Sequence, residues 1–189
     1  MATKRLEDYS GKFDPDLRLE DFSKDALIRL FRAACKDYMG IDGCWLSVMR
    51  QEVGDEVAFR YSHEVWHSGT VAEVRRTREA LNIWGNDVAA VMKYLQFTTS
   101  GGGGLWECKC ELNDENHGVY TVLQCRSLDY FERHGDMQLL KQACETLCIP
   151  YNQKSAECFN PAIKWVPLKL PPRKSKHDIA CQWEVKLER

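Results

Sequence analysis

The sequence lacks a long hydrophobic run. Its longest uninterrupted apolar stretch covers only residues 88–92, whereas a helix that spans a membrane needs about 20 apolar residues. Residues 1–8 carry several charges without an apolar stretch behind them. We therefore expect no secretory signal, and we expect a cytoplasmic protein.

An excess of charge of one sign is also missing. The 28 acidic and 26 basic residues leave a formal net charge of −2. Surfaces that bind nucleic acid usually need a marked basic excess. We therefore expect neither nucleic acid nor a membrane as a partner. A small-molecule ligand or substrate is the expected partner, and a homo-oligomer stays open.

Nine cysteines are present, yet no pair has the C-x-x-C spacing of a zinc ribbon. An odd number of cysteines without a secretory signal argues against a disulfide framework. Two interpretations remain. The thiols are small buried hydrophobic groups, or some of them bind a metal or act as nucleophiles.

Hydrophobic spacing predicts an α+β protein that forms one compact unit. Apolar residues first recur at helical spacing, with Ser23 as an N-cap, and later alternate as in strands. Gly40 is expected to end the first helix and Asp42 to cap the next. The second half predicts the order β-β-α-β-β, a small antiparallel sheet. The predicted parts are a polar lead-in (1–22), a helical part (23–100), a glycine loop or linker (101–104) and an α+β part (105–189).

The cysteines of the second half are the candidate metal ligands. Cys144 and Cys148 are four residues apart, which places them on one side of a helix if the helix continues that far. Cys125 ends a predicted strand, Cys158 lies just before the break at Asn160-Pro161, and Cys181 lies in the last strand, so all five fall within one small sheet-and-helix unit. A thiolate cluster is therefore geometrically possible, with zinc as the candidate metal, although buried apolar cysteine is the more common situation.

A second candidate pattern is the string His63-Glu64-Val65-Trp66-His67, which matches the zinc-binding H-E-x-x-H helix. No third histidine follows at the spacing of a metalloprotease, so peptidase chemistry is not favoured. His63 remains a candidate metal ligand and His67 a candidate proton carrier. A partly exposed amphipathic helix explains the same string without any metal.

Four further residues are candidates for binding or catalysis. Asp42 is either an N-cap or, if buried, an acid or base that lines a ligand pocket. Arg173 follows two prolines and is either a carboxylate or phosphate binder or part of a solvated basic loop. Trp45 and Trp66 are candidate walls of an apolar ligand pocket, or ordinary core residues.

Two stretches carry a family resemblance. They run from Asp42-Gly43-Cys44-Trp45 to Glu64-Val65-Trp66, and from Pro171-Pro172-Arg173-Lys174 to Cys181-Gln182-Trp183-Glu184. They resemble a bacterial and archaeal family of small cytosolic proteins with no assigned function. The second half is also loosely similar to L-2-amino-thiazoline-4-carboxylic acid hydrolase-like proteins and to four-vinyl-reductase-type sensor domains. The latter resemblance implies zinc on Cys125, on Cys144 or Cys148, and on Cys181.

Two functions follow as expectations. The first is a hydrolase of the thiazoline-hydrolase type, in which a Cys thiolate such as Cys125, or a Cys-bound metal, promotes addition of water or thiolate to a C=N or acyl carbon. Asp42 or a histidine such as His67 would move the proton. The alternative is a non-enzymatic ligand sensor or binding module with a structural zinc site.

Overall fold

The computed structural model describes residues 5–104 and 106–188 and confirms the α+β class. Residues 1–4 of the predicted lead-in, on which the expectation about a secretory signal partly rests, lie outside the described residues. The helices are α1 (Lys24–Val53), α2 (Asp55–Leu81), α3 (Val88–Leu95), α4 (Arg126–His134), α5 (Met137–Ala143) and α6 (Ile149–Glu157). A 3₁₀ turn (Leu19–Asp21) precedes α1, and a π-helical turn (Cys144–Cys148, the π turn) joins α5 to α6. The strands are β1 (Trp106–Asp114), β2 (His117–Cys125), β3 (Ile163–Lys169) and β4 (Cys181–Leu187).

Two long helices form the N-terminal half. Ser23 caps α1 as predicted, because its side chain accepts a hydrogen bond from the Ala26 amide. The helix then continues through Gly40, so the predictions that Gly40 ends it and that Asp42 caps a second helix are wrong. An interior glycine costs about 1 kcal/mol relative to alanine, and packing of α1 along α2 outweighs this cost. The turn between the two helices is at Gly54, whose positive φ of 79° suits glycine.

The C-terminal half is built on a four-stranded antiparallel sheet with the order β1-β2-β4-β3. Helices α3 and α6 pack against this sheet. Three aromatic side chains form its centre, since the rings of Tyr120 and Trp183 lie 5.6 and 5.9 Å from the ring of Trp165. Pro167 lies on the edge strand β3 beside a bulge, as its missing N–H group predicts. Within residues 5–104 and 106–188, every helix is too short or too polar to span a membrane.

The lead-in is attached to the start of α1. Leu6 pairs with Phe22 in a short parallel bridge. The Ser23 hydroxyl donates to the Glu7 carboxylate at 2.9 Å, and the Arg29 guanidinium donates to the Glu7 carbonyl. These contacts fix the direction in which the chain enters the first helix.

The glycine loop is a packed turn and not a free linker. A Cβ atom on Gly101 would lie 2.6 Å from the Leu95 carbonyl oxygen, and one on Gly102 would lie 2.8 Å from Phe97 Cα. At Gly103 a Cβ atom would overlap the Thr99 carbonyl oxygen and the Cys35 side chain of α1. The run of glycines therefore lets the chain turn tightly against α1 before β1 begins.

We expect the substitution Gly103→Ala to destabilise the protein by about 2 kcal/mol or more, because the added methyl group overlaps backbone that cannot move freely. Gly43→Ala is the matched control. Its Cβ atom would meet nothing within 4 Å, and in a helix interior it should stabilise by about 0.5–1 kcal/mol. Urea unfolding of both variants measures the difference, and equal stabilities would contradict the packed turn.

Candidate functional site

Four cysteines come together where the sheet meets the short helices. Cys125 is the last residue of β2, Cys144 and Cys148 are the two ends of the π turn, and Cys181 is the first residue of β4. The pKa of Cys148 is raised first by its hydrogen bond to Cys144, then by burial and by the charges of Cys144, Cys125 and Cys181. We call these four residues the thiol cluster.

The sheet register gives Cys181 a further cysteine, Cys108, on the same face of the sheet. Cys181 is directly opposite Val122 of β2, and Val122 is directly opposite Cys108 of β1, so the three side chains share one face of the sheet. The π turn adds one residue per turn, a rare feature that often occurs at functional sites. Both of its end residues are cysteines of the cluster.

Burial sets the protonation of most of these thiols. It raises the pKa of Cys125, although the backbone amides of Leu128 and Ser127 at the start of α4 partly oppose the rise. Burial also raises the pKa of Cys181 to about 12. Cys144 is the exception, because the thiol of Cys148 donates a hydrogen bond to its sulfur and lowers its pKa.

The cluster as it stands is not yet a set of metal ligands. Among residues 5–104 and 106–188, no three His, Cys, Asp or Glu side chains are arranged to hold one metal ion. The four thiols nevertheless lie in one region of the fold, since each of them shifts the pKa of at least one other. Zinc holds thiolates at about 2.3 Å, so occupancy requires rotations of these side chains about χ1 between staggered wells.

The predicted fifth ligand, His63, lies on α2 with the other histidine of its string. Its ring is 5.9 Å from the ring of His67, and its Nδ1 atom is 3.7 Å from the Glu64 carboxylate. His63 is not among the groups that shift the pKa values of the thiol cluster. The described contacts of His63 are therefore with residues of its own helix, α2, and not with a thiol of the cluster.

A second group of polar and aromatic side chains joins the two halves. The ring of Trp66 on α2 lies 5.6 Å from Tyr151 of α6 and 6.1 Å from Tyr38 of α1, edge to face in both cases. The Tyr151 hydroxyl donates to the Glu73 carboxylate at 2.8 Å. Asp42 faces Trp66 from α1. We call Asp42, Trp66, Glu73 and Tyr151 the acid–aromatic cluster.

Glu73 is the residue of this group that the sequence analysis did not select. Its carboxylate also accepts hydrogen bonds from the Thr99 hydroxyl at 3.0 Å and from the Thr99 amide at 3.3 Å. The spacing of seven residues between Trp66 and Glu73 is the available signal, since it places both on one side of a helix. Tyr151 is three residues after Cys148, so α6 links the two clusters.

Asp42 lies inside α1 and is partly buried, so it is not an N-cap, and its role in lining a ligand pocket stays a prediction. Burial raises the pKa of its carboxyl group, and the Trp66 indole opposes part of the rise. A carboxyl group that keeps its proton more readily can donate as well as accept a hydrogen bond. This is the property that a proton carrier or a ligand contact requires.

The predicted catalytic residues lie on separate elements. Cys125 is at the end of β2, whereas Asp42 and His67 are on the two long helices. No hydrogen bond or ion pair among the described residues joins Cys125 to either of them. Their joint action in catalysis stays a prediction.

Arg173 binds carboxylates that belong to the chain itself. Its side chain is only 5% exposed, and its guanidinium donates to Asp129 at 2.6 Å and to Glu132 at 2.6 and 2.9 Å. The loop before β4 is thereby attached to α4. Trp45, the other predicted binding residue, is 39% exposed on α1. The predicted binders Trp45, Trp66 and Arg173 thus belong to three different surroundings.

The largest cleft that we describe lies elsewhere. It has a volume of about 690 Å³ and lies at the turn between β1 and β2, beside the end of β4. His117 and Glu184 line it, and their side chains are 3.1 Å apart. None of the predicted site residues lines this cleft.

We expect Arg173→Ala to destabilise the protein by about 2–3 kcal/mol, because Glu132 loses a partner in a partly buried site. The effect should be smaller than the roughly 3–5 kcal/mol typical of a fully buried pair, since Asp129 is 43% exposed. Urea unfolding measures it, and Lys174→Ala in the same loop is the control. A fully stable Arg173→Ala variant would contradict this structural role of the guanidinium.

We expect the stability difference between wild type and Asp42→Asn to depend on pH. The folded protein binds the Asp42 proton more tightly than the unfolded chain does, for which 3.8 is the ordinary pKa. The stabilising effect of this group is therefore present below pH 3.8 and is lost as pH rises through the folded pKa. Asp42→Asn should gain stability relative to wild type as pH rises.

Urea unfolding at a series of pH values from about 4 to 8 tests this dependence. Asp37→Asn, which removes an exposed carboxylate from the same helix, separates the loss of a charge from the effect of burial. A difference between wild type and Asp42→Asn that moves in the opposite direction would show that Asp42 is stabilised in its ionised form.

Comparison with known proteins identifies a family. No curated protein and no solved structure matches the chain. The model of one family, described as a family of unknown function (DUF6125), matches residues 20–187, from the 3₁₀ turn before α1 to the end of β4. Because the match spans both the helical half and the sheet, the chain belongs to the family of unknown function DUF6125.

Proposed function

We propose that the chain is a small-ligand-binding protein whose C-terminal half is stabilised by a zinc ion on the thiol cluster. The observation that carries the proposal is the meeting of four cysteines from β2, the two ends of the π turn and β4. Four thiolates in tetrahedral arrangement are a typical structural zinc site. Such a site would connect segments that are far apart in the sequence.

Protonation supports a structural metal site over a free nucleophile. A nucleophilic cysteine needs a lowered pKa, usually from a histidine or another cation nearby. Burial raises the pKa of Cys125, and the groups that act on it are amides, Cys144 and Asp129. Zinc would replace the protons of such thiols, and the binding energy would add to the stability of the fold.

The acid–aromatic cluster supports the ligand-binding part of the proposal. Aromatic walls with a few polar groups are the usual composition of a small-molecule site. The carboxylate of Glu73 has Tyr151 and Thr99 as donors, whereas Asp42 has the Trp66 indole and keeps more of its hydrogen-bonding capacity for a ligand. We propose a small polar ligand with a hydrogen-bonding or cationic group that contacts Asp42 and the Trp66 ring.

A hydrolase of the thiazoline-hydrolase type is the second candidate. Cys144 favours it, because the hydrogen bond from Cys148 lowers its pKa. In this case the metal would have only three protein ligands and would leave one position for water. We propose that the protein works in the cytoplasm, because both candidate functions need reduced thiols and thiols stay reduced there.

We expect about one equivalent of zinc in the untagged protein by elemental analysis. Titration with a thiol reagent should find the buried Cys35 and the four cluster thiols protected in the folded protein, and removal of the metal by a chelator should make the four cluster thiols reactive. Cys125→Ser and Cys144→Ser should lose the zinc and about 3 kcal/mol of stability or more, which corresponds to a fall in Tm of roughly 6–12 °C. Cys158→Ser is the matched control, since Cys158 is also half-buried but has no thiol among the groups that shift its pKa.

Absence of metal, with the four cluster thiols as reactive as Cys158, would contradict the zinc site. Assay with 2-amino-thiazoline-4-carboxylic acid distinguishes the second candidate. If the zinc is structural, no turnover is expected. Turnover that Cys144→Ser abolishes at unchanged Tm would establish the hydrolase instead.

A further inference from the structure

Two buried aromatic side chains donate hydrogen bonds to sulfur atoms. The Trp183 indole N–H donates to the Cys181 sulfur at 3.2 Å, and the Tyr120 hydroxyl donates to the Cys108 sulfur at 2.9 Å. Both rings are only 1% exposed. Cys181 belongs to the thiol cluster, whereas Cys108 lies outside it. Only the first of these two contacts therefore reaches a proposed metal ligand.

The sheet fixes the direction of the Trp183 indole. Trp183 and Cys181 are two residues apart on β4, so their side chains lie on the same face of the sheet. Trp183 is directly opposite Tyr120 of β2, and its ring lies 5.9 Å from the ring of Trp165. Packing of these three rings therefore holds the indole N–H group at the Cys181 sulfur.

A neutral thiol gives little reason for a donor at this place. Thiol sulfur is a weak acceptor, and a buried Trp N–H group usually finds a hydrogen-bond partner. A metal-bound thiolate keeps negative charge, and a hydrogen bond to a charged acceptor is roughly twice as strong as one between neutral groups. The contact between Trp183 and Cys181 thus fits a sulfur that carries charge better than a neutral one.

Trp165 shows that aromatic packing alone does not require such a contact. It is one of the three aromatic side chains at the centre of the sheet and is 5% exposed. Within the part of the chain that the structure describes, its indole N–H group has no acceptor. The centre of the sheet therefore accommodates an indole without a hydrogen bond, and the bond made by Trp183 is not a by-product of burial.

We propose that Trp183 is a positioning residue of the zinc site, whose indole N–H group holds Cys181 in orientation and stabilises it as a thiolate ligand. The inference rests on the proposed zinc site and adds a hydrogen bond from outside its four ligands. Such donors orient the ligands of a metal and strengthen its binding. Cys181 then keeps its present orientation, and the side-chain rotations that zinc requires fall on the other three thiols.

The test compares the metal affinity of wild type with that of three variants, by competition of zinc with a chelator of known affinity. Trp183→Phe should bind zinc about 10–100-fold more weakly. Trp165→Phe removes the same part of an indole from the same aromatic group, but no hydrogen bond. Tyr120→Phe removes a donor to sulfur, but the sulfur belongs to Cys108. Both control variants should bind zinc as tightly as wild type.

Cobalt(II) in place of zinc gives a readout that a change in packing alone would not move. A hydrogen bond lowers the energy of the sulfur lone pairs. The thiolate-to-cobalt charge-transfer absorption should therefore move to longer wavelength in Trp183→Phe, and it should stay in place in Trp165→Phe and Tyr120→Phe. Circular dichroism verifies that the variants fold.

If Trp183→Phe does not fold, NMR of wild type loaded with NMR-active cadmium decides. The indole proton of Trp183 should show scalar coupling to cadmium through the hydrogen bond, and absence of this coupling would overturn the inference. So would a zinc affinity that falls equally in Trp183→Phe and in either control, or that does not fall in Trp183→Phe, although the zinc site itself would stand. A wild type that binds neither zinc nor cobalt would overturn the zinc site and the inference together.

Discussion

The carboxylate of Glu73 is the polar contact on which the joining of the two halves depends. It extends from α2 and accepts hydrogen bonds from Tyr151 on α6 and from Thr99 after α3. Tyr94 of α3 lies 3.4 Å from the Tyr151 hydroxyl and extends the same network. A carboxylate removed from water is costly unless donors surround it, so these three segments must meet in one arrangement.

Helix α6 and the π turn before it connect the long helices to the sheet. Tyr151 of α6 contacts Trp66 of α2, whereas Cys144 and Cys148 of the π turn lie near Cys125 and Cys181 at the ends of β2 and β4. Arg173 fixes the start of β4, because its ion pairs attach the loop before this strand to α4. Cys181 is the first residue of β4, so the position of its thiol depends on contacts that other residues make.

The helical pattern was predicted correctly over most of the N-terminal half, but its division into short helices was not. Gly40 is a natural place to end a helix, since glycine weakens helices by about 1 kcal/mol. It lies inside α1, because the packing of α1 on α2 contributes more than this loss. Local preference predicts helix ends poorly when packing at a distance decides them.

By itself the sequence determined the α+β class and the alternation of β1 to β4, because side-chain periodicity depends only on local geometry. The tertiary structure alone decided that Arg173 pairs with Asp129 and Glu132. It also decided that Glu73 joins the halves. Such pairings connect residues that are far apart along the chain, and no local pattern specifies which donor reaches which carboxylate.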